Sequence, residues 1–499
     1  MVKYLDPRVL VLVTIGLSLA VFMNVLDGSI ANVALPTIAS NLGVAANQGT
    51  WLITAYITAN AISVPLTGFF AGRFGQFRLF LISILLFTVA SFLCGISPTL
   101  PTIIGARILQ GAAAGPMVTL SLSILFYIYP PEKRTVAMSI WSMVIVVAPI
   151  FGPLLGGYIT DNFHWGWIFF INIPIGVLAL ILCGQGFKGS ETSISKAPVD
   201  VAGLVLMILA AGCLQLMLDQ GKELDWFQSP IIVTLGVASL LSFLYLIVWE
   251  KDEKYPVLAL ELLQNRNFTI GLILCFFAFM CYMGSLVLIP QVLRVQYGYT
   301  AITAGLVVAP IGFFSILVSP VLGKFGNRID MRIALTISFL VFAISFYWRA
   351  KSFNPTMSVW DAAMPQLFQG IAVALFFTPL NSLIYSEIPP QHMPHASSLS
   401  NFVRLMSSAV GTSLMMTVWD RRQALQHSYL GEHFNAWNLN ALTWVDQLKA
   451  LHLNPQQIHV LANIEITRQA YINGANEVLY ASGFVFLALI VLIWFAKRF

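Results

Sequence analysis

Charge is what this sequence has least of. Asp, Glu, Lys and Arg make up 9% of 499 residues, against about 25% charged in an average soluble domain, while 58% of positions are hydrophobic and the mean hydropathy is +0.82. No soluble core absorbs that much apolar surface. Cysteine is also scarce: Cys94, Cys183, Cys213, Cys275 and Cys281 all fall in apolar stretches, where a thiol acts as a small hydrophobe, so no disulfide framework is implied. The seven histidines, His164, His392, His395, His427, His433, His452 and His459, fall in predicted loops, which leaves no obvious intramembrane histidine relay. His392 and His395 have a spacing that suits a metal on a helix, but Pro394 between them argues for a loop, and no metal site is expected. The runs H-E-x-x-H, G-x-S-x-G and G-x-x-x-x-G-K-[ST] are missing as well, which argues against a membrane enzyme and against self-contained ATP drive. No cofactor is expected.

What is present is a succession of apolar runs. A span of about 20 apolar residues crosses a bilayer, and fourteen candidates start near Leu10, Thr50, Leu79, Thr102, Ala137, Gly166, Val201, Pro230, Phe268, Ala304, Ile333, Ser358, Leu399 and Val478. The fold class predicted is all-α, a polytopic membrane protein. The first run is too long for a cleaved signal peptide and has no clear cleavage site after it. Cytoplasmic loops retain Lys and Arg, and with the N-terminus inside one face collects most of them, from Arg8, Arg73 and Arg78 to Lys324, Arg332 and Lys497. The opposite face's short loops hold Lys222, Arg294, Arg349 and Lys351. This asymmetry predicts an even number of spans with both termini cytoplasmic, and it accounts for the net charge of +5 without a nucleic-acid partner.

Asp27 lies inside the first apolar run. A carboxylate at a helix centre costs about 2.5 to 3.5 kcal/mol on insertion scales, so its default reading is functional, here a proton site; the alternative is that Asp27 ends the helix near the outer headgroups. Arg107 is its natural partner. At 1.5 Å per residue, Asp27 lies about 17 residues outward from Leu10 and Arg107 about six residues inward from Pro101, so both fall in the outer half of the membrane. Gln110 shares the helix face of Arg107, and Asn24 that of Asp27. An apolar surround raises a carboxylate's pKa and an adjacent arginine lowers it, so relative movement of such a pair loads and releases a proton.

An internal repeat emerges when the fourth and twelfth spans are aligned. Arg107-Ile-Leu-Gln110-Gly111 matches Gln366-Leu-Phe-Gln369-Gly370, and the register continues to Thr119 and Thr378, an offset of 259; Gly68 and Arg73 match Gly323 and Arg328 at an offset of 255. Two homologous six-helix bundles follow, residues 1–190 and 261–499, with two extra helices in residues 191–260.

Leu26-Asp27-Gly28-Ser29-Ile30-Ala31-Asn32-Val33-Ala34-Leu35-Pro36 resembles the first-helix motif of the fourteen-helix drug:proton antiporters of the major facilitator superfamily, specifically the EmrB-like multidrug exporters, and the resemblance covers nearly the whole chain. Gly68 to Arg78, including Arg73 and Gly75, is similar to the superfamily's loop signature, although Gly72 stands at the usual acidic position; Arg73 and Arg78 are latch candidates or plain positive-inside anchors. Arg107 resembles the arginine of the fourth-helix motif. Ala148-Pro149-Ile150-Phe151-Gly152-Pro153-Leu154-Leu155-Gly156-Gly157 is similar to the fifth-helix antiporter motif, and its prolines and glycines predict a bent, tightly packed hinge. The resemblance implies proton-driven export of hydrophobic or amphipathic drugs across a bacterial inner membrane, together with a periplasmic adaptor and an outer-membrane channel.

The scarcity of intramembrane charge and the abundance of Phe and Met suit an apolar, adaptable pocket. Asn24, Gln110, Tyr282, Gln369, Phe376, Phe377 and Arg404 are its candidate lining. Arg404, near the cytoplasmic start of the thirteenth span, either lines the cavity entrance or snorkels to the inner interface, and snorkelling is slightly favoured. The interval 420–476 reads as a long outer loop whose Leu439, Leu442, Val445, Leu448 and Leu451 recur at helical spacing; it serves as a docking surface or a lid. Two other functions fit the same features, export of one endogenous amphiphile such as a siderophore or fatty acid, and a sensor that keeps the fold without transport.

Overall fold

The computed structural model describes residues 6–187, 191–192, 194, 200–253, 257–258, 260–325, 330–434 and 439–497, and all regular structure among them is helical. The helices are α1 (Pro7–Asn41), α2 (Ala46–Gly49), α3 (Trp51–Phe74), α4 (Gln76–Gly95), α5 (Leu100–Ile128), α6 (Arg134–Asn162), α7 (Trp167–Phe170), α8 (Asn172–Gly186), α9 (Val201–Gln220), α10 (Pro230–Asp252), α11 (Arg266–Tyr297), α12 (Ala301–Val308), α13 (Ile311–Phe325), α14 (Met331–Ser352), α15 (Val359–Tyr385), α16 (Met393–His433), α17 (Leu439–Ala450) and α18 (Pro455–Ile493). In a bilayer every backbone polar group must be satisfied within the chain, which leaves helices as the solution for these apolar runs.

Packing follows the order of the sequence. In the first half α1 packs on α6 and α8, and α5 packs on α3 and α4; in the second, α11 packs on α16 and α18, and α15 on α13 and α14. Helices α9 and α10 form their own pair, and α9 touches α3 and α16. Small residues permit the closest crossings. A Cβ on Gly111 would run into the backbone of Tyr56, which is why α5 and α3 need glycine there. The two halves touch at several levels: Ser398 Oγ donates to the carbonyls of Val64 (2.7 Å) and Pro65 (2.8 Å), Phe126 meets Tyr385 edge to face, and α6 packs along α13.

Several expectations require correction. Among the described residues eleven helices are long and apolar enough to cross a membrane, or twelve when the two segments of α6, bent by 40°, count as one span. The two remaining expected spans correspond to α12 with α13, a pair of short helices, and to α16, whose apolar stretch carries Arg404 and several serines and threonines. The interval 420–476 is no open loop. Helix α16 continues to His433 and α18 begins at Pro455, so the interval is largely a helical hairpin standing on the membrane helices, held by Trp419 Nε1 donating to Tyr471 O (2.9 Å) and by Gln426 and Arg422 on Glu477 (2.6 and 3.2 Å). Of its predicted apolar repeat, Leu451 falls just past α17. His395, expected in a loop, lies in the first turn of α16, where Pro394 is tolerated because the first-turn N–H groups have no intrahelical partner. His427, His433 and His459 are likewise helical. Arg328 and the Pro153 side chain lie outside the described residues.

Candidate functional site

The site in the first half is assembled from five helices around Asp27. The α1 carboxylate is fully buried and accepts from Arg107 Nη1 at 2.5 Å, Gln110 Nε2 at 2.9 Å and Asn172 Nδ2 at 2.8 Å. Arg107, also fully buried, donates through Nη1 to Gln110 Oε1 (2.8 Å) and through Nε to the Leu52 carbonyl (3.2 Å), and its guanidinium lies 4.1 Å from the centre of the Tyr56 ring. Ser91 Oγ accepts from Gln110 Nε2 (2.7 Å) and Asn172 Nδ2 (3.2 Å). A charge pair in such a setting repays its desolvation only when hydrogen bonds satisfy the remaining lone pairs and protons; here both carboxylate oxygens have partners.

Arg107 and Gln110, three residues apart, share one face of α5, and α1 brings Asp27 to the same depth. Sequence reasoning missed Ser91, Tyr56 and Asn172. The signal for Asn172 was available, since it is a lone amide inside the run Trp167 to Ile175. Asn24, one turn before Asp27, faces α5 as Asp27 does: its Nδ2 donates to the Ala114 carbonyl at 2.8 Å, one turn on from Gln110.

The second half holds a different cluster. Arg349, expected in a short outer loop, is fully buried in the last turn of α14. Its Nη2 donates to Gln366 Oε1 (2.7 Å) and to Gln369 Oε1 on α15, and its guanidinium carbon lies 5.2 Å from the Phe346 ring centre. Gln369 therefore belongs to this cluster. Tyr282, Phe376 and Phe377 are buried in an aromatic core with Phe279, Phe339 and Phe342, ring centres 5.3 to 6.5 Å apart. None of these four faces an open space. An open groove of about 390 Å³ lies instead between α1, the end of α5 and α6, lined by Ile15, Leu19, Phe22, Ile140 and Val144 among others.

Arg404 does not snorkel. It is buried, donating to Asn401 Oδ1 (3.0 Å) and Asn381 Oδ1 (3.1 Å), with Trp141 of the first half 5.3 Å and Phe279 of the second 5.1 Å from its guanidinium carbon. Amide acceptors and aromatic faces hold the cation where the sequence showed only a long side chain near an interface. The position thus joins the two halves.

The loop signature lies against the second half. A Cβ on Gly68 would come within 2.8 Å of His395 Nδ1 on α16, so glycine allows α3 to approach the second half. The acid missing at Gly72 is supplied from the segment after α8: Glu191 accepts from the backbone N–H groups of Phe77 (3.2 Å) and Arg78 (3.0 Å) at the start of α4, and lies 3.9 Å from Arg78 Nε. A carboxylate is favoured at a helix N-terminus by the unpaired N–H groups and the helix dipole. Gly75 leaves room for it, since a Cβ there would collide with Glu191. In the fifth-helix motif Ser29 Oγ donates to Pro149 O (2.9 Å), a Cβ on Gly152 would strike Ser29, and Gly156 and Gly157 abut Ile30 and Ile302.

Comparisons with known proteins agree with this architecture. The family model "Major Facilitator Superfamily" matches residues 17–412. The chain is 50% identical over 98% of its length, and 96% of the relative's, to the protein named "Multidrug export protein EmrB" of Haemophilus influenzae, and 48% identical over 99% and 97% to the protein of that name in Escherichia coli K12. It is 47% identical over 97% and 96% to "Fatty acid resistance protein FarB" of Neisseria gonorrhoeae. Among solved structures, the proton:xylose symporter XylE superposes with a TM-score of 0.62 at 15% identity, covering 98% of this chain and 96% of its own, a likeness of fold. The chain belongs to the major facilitator superfamily and, within it, to the EmrB-like multidrug export proteins.

Proposed function

We propose that this protein is a proton-coupled antiporter that exports hydrophobic or amphipathic compounds across the bacterial inner membrane. The observation that carries the reading is the fully buried pair of Asp27 and Arg107, with Gln110 and Asn172 completing the carboxylate's shell. Moving Arg107 away from Asp27 favours proton uptake by the carboxylate, and restoring the contact expels the proton. The amides of Gln110 and Asn172 hold the carboxylate in place while the arginine moves. The apolar groove beside Phe22 suits substrates without strong charge, and the names of the EmrB relatives support drug export. In proteoliposomes with an inward-directed drug pulse, such an antiporter releases protons in proportion to drug moved; drug movement without proton release overturns the coupling.

The helical hairpin of α16, α17 and α18 exposes Leu425, Tyr429, Val460 and Ile464, with i, i+4 spacing on two helices. Solvent-exposed apolar stripes mark interaction surfaces, and a periplasmic adaptor leading to an outer-membrane channel is the partner we assign to it. Replacing 434–454 with a short Gly/Ser linker, and the four exposed residues with Ser, leaves exchange in proteoliposomes intact but removes resistance in cells. Equal loss in both assays assigns the hairpin to a lid. A second reading, export of one amphiphilic acid, is favoured by the fatty acid resistance named for the Neisseria gonorrhoeae relative.

A further inference from the structure

Arg107 has three acceptors, the carboxylate of Asp27, the Gln110 oxygen and the Leu52 carbonyl. The third belongs to the first turn of α3. Helix ends fray more readily than helix middles, so a carbonyl there keeps its place only where the turn is anchored. Leu52 and Tyr56, four residues apart, share the face of α3 turned to Arg107. Thr54, two residues from each, lies on the opposite face. Its hydroxyl reaches the Thr50 carbonyl (3.3 Å) and, more closely, the carboxylate of Asp219 in the last turn of α9. Asp219 also accepts from Gln220 Nε2 (3.3 Å), and among the described residues no cation pairs with it; Lys222 pairs instead with Asp420 of α16 (2.8 Å).

The end of α9 that carries Asp219 is itself held by the second half. Ser413 Oγ on α16 donates to the Leu218 carbonyl (2.8 Å), and the Lys222 to Asp420 pair lies beside it. At Ser398, α16 bonds the α3 carbonyls of Val64 and Pro65 directly. At Ser413, about four turns on, it bonds α9 instead, and α9 bonds α3. A continuous set of contacts therefore runs from α16 through Leu218 and Asp219 to the first turn of α3, and from Leu52 to Arg107.

We propose that Asp219 is a positioning residue for proton coupling, which rests on Asp27 being the proton site: it fixes the first turn of α3 so that the Leu52 carbonyl holds Arg107, and α9 makes that placement depend on the second half. When α16 draws α9 away from α3, the turn loosens, Arg107 is held less firmly, and Asp27 takes up a proton more readily. The titratable and charged groups described around Asp27 are Arg107 on α5, Tyr56 on α3 and Cys94 on α4, while α8 presents the neutral Asn172. Arg107 is the cation among them, and its placement sets the balance.

The test reads the proton itself and needs no transported compound. In pH-difference infrared spectra of the full-length protein in lipid nanodiscs, the protonated-carboxyl band that is lost in Asp27→Asn belongs to Asp27. In Asp219→Ala the midpoint of that band is expected to rise by at least about half a pH unit, a threefold gain in proton affinity. Thr54→Val breaks the same contact from the other side and should give the same rise, with the double variant no higher than either single one. Asp219→Asn keeps an acceptor oxygen and should keep the wild-type midpoint. Loss of a nearby negative charge acts in the other direction, lowering a carboxylate's proton affinity, and would appear in Asp219→Asn and Asp219→Ala alike. An unchanged or lowered midpoint in Asp219→Ala or in Thr54→Val overturns the proposal, as does an equal shift in Asp219→Asn. A wild-type spectrum without an Asp27 band overturns the proton-site reading and this inference with it, whereas a band with the same midpoint in every variant overturns the inference alone.

Discussion

The two halves of this protein bury the same chemistry with opposite charge balance. In the first, Arg107 and Asp27 neutralise each other, and amide and hydroxyl groups of Gln110, Asn172 and Ser91 close the shell. In the second, at the matching places on α15, Gln366 replaces the arginine, Gln369 keeps the amide, and the cation arrives from α14 as Arg349 with no carboxylate bonded to it. Each half holds a buried polar centre, and ionic chemistry is distributed differently in the two. A paired site can change its charge by taking one proton.

That difference gives opposite expectations for the same substitution. Arg107→Met leaves a carboxylate buried without its cation and should cost about 3 to 5 kcal/mol, seen as a fall in the melting temperature of detergent-solubilised protein at neutral pH. Arg107→Lys keeps the charge but loses the fork and the constancy of protonation, since a buried lysine readily gives up its proton. Its transport rate should therefore fall, and its pH profile should move; an unchanged profile marks Arg107 as structural. Arg349→Met removes a cation whose burial is not repaid by a counter-charge, so melting temperature should hold or rise, within roughly 1 to 2 kcal/mol, because the several-kcal/mol desolvation of the ion is partly offset by the glutamine oxygens left without a donor. A loss as large as that of Arg107→Met would show that the second cluster is as fully compensated as the first. The smallest effect is expected at the start of α4. Glu191→Gln weakens the contact with the start of α4 by under about 1 kcal/mol, the range for a partly exposed charge at a helix terminus, and this shift should shrink further in high salt.

How much of this was readable in the sequence follows from the physics of each feature. Asp27 and Arg107 were legible because charge inside an apolar run is costly, and because depth follows from counting residues along two helices of opposite direction. Gln110 and Gln369 were legible as members of a repeat, though what they bond was not: Gln110 joins the ion pair and Gln369 meets Arg349. Arg349 itself was hidden by its place near a helix end, where a cation ordinarily reaches water, and nothing local distinguishes it from Lys351, which is exposed. Arg404 was hidden for the same reason, because Asn381, Trp141 and Phe279 come from three other helices. The acid at the loop signature could not be found by inspecting the loop, since Glu191 is 119 positions beyond Gly72. The hairpin at 420–476 showed helical spacing but not that α16 and α18 run into it without interruption.

The most direct test of the account is drug-driven proton release from proteoliposomes carrying Asp27→Asn. The substitution keeps the shape of the side chain and one of its two acceptor oxygens while removing its titration; because Arg107 then lacks its counter-charge, insertion and drug binding of the variant are measured alongside. Proton release on addition of drug should fall to the level of protein-free vesicles. Release at the wild-type rate would contradict the assignment of Asp27 as the coupling carboxylate, and with it the division of labour between the two halves.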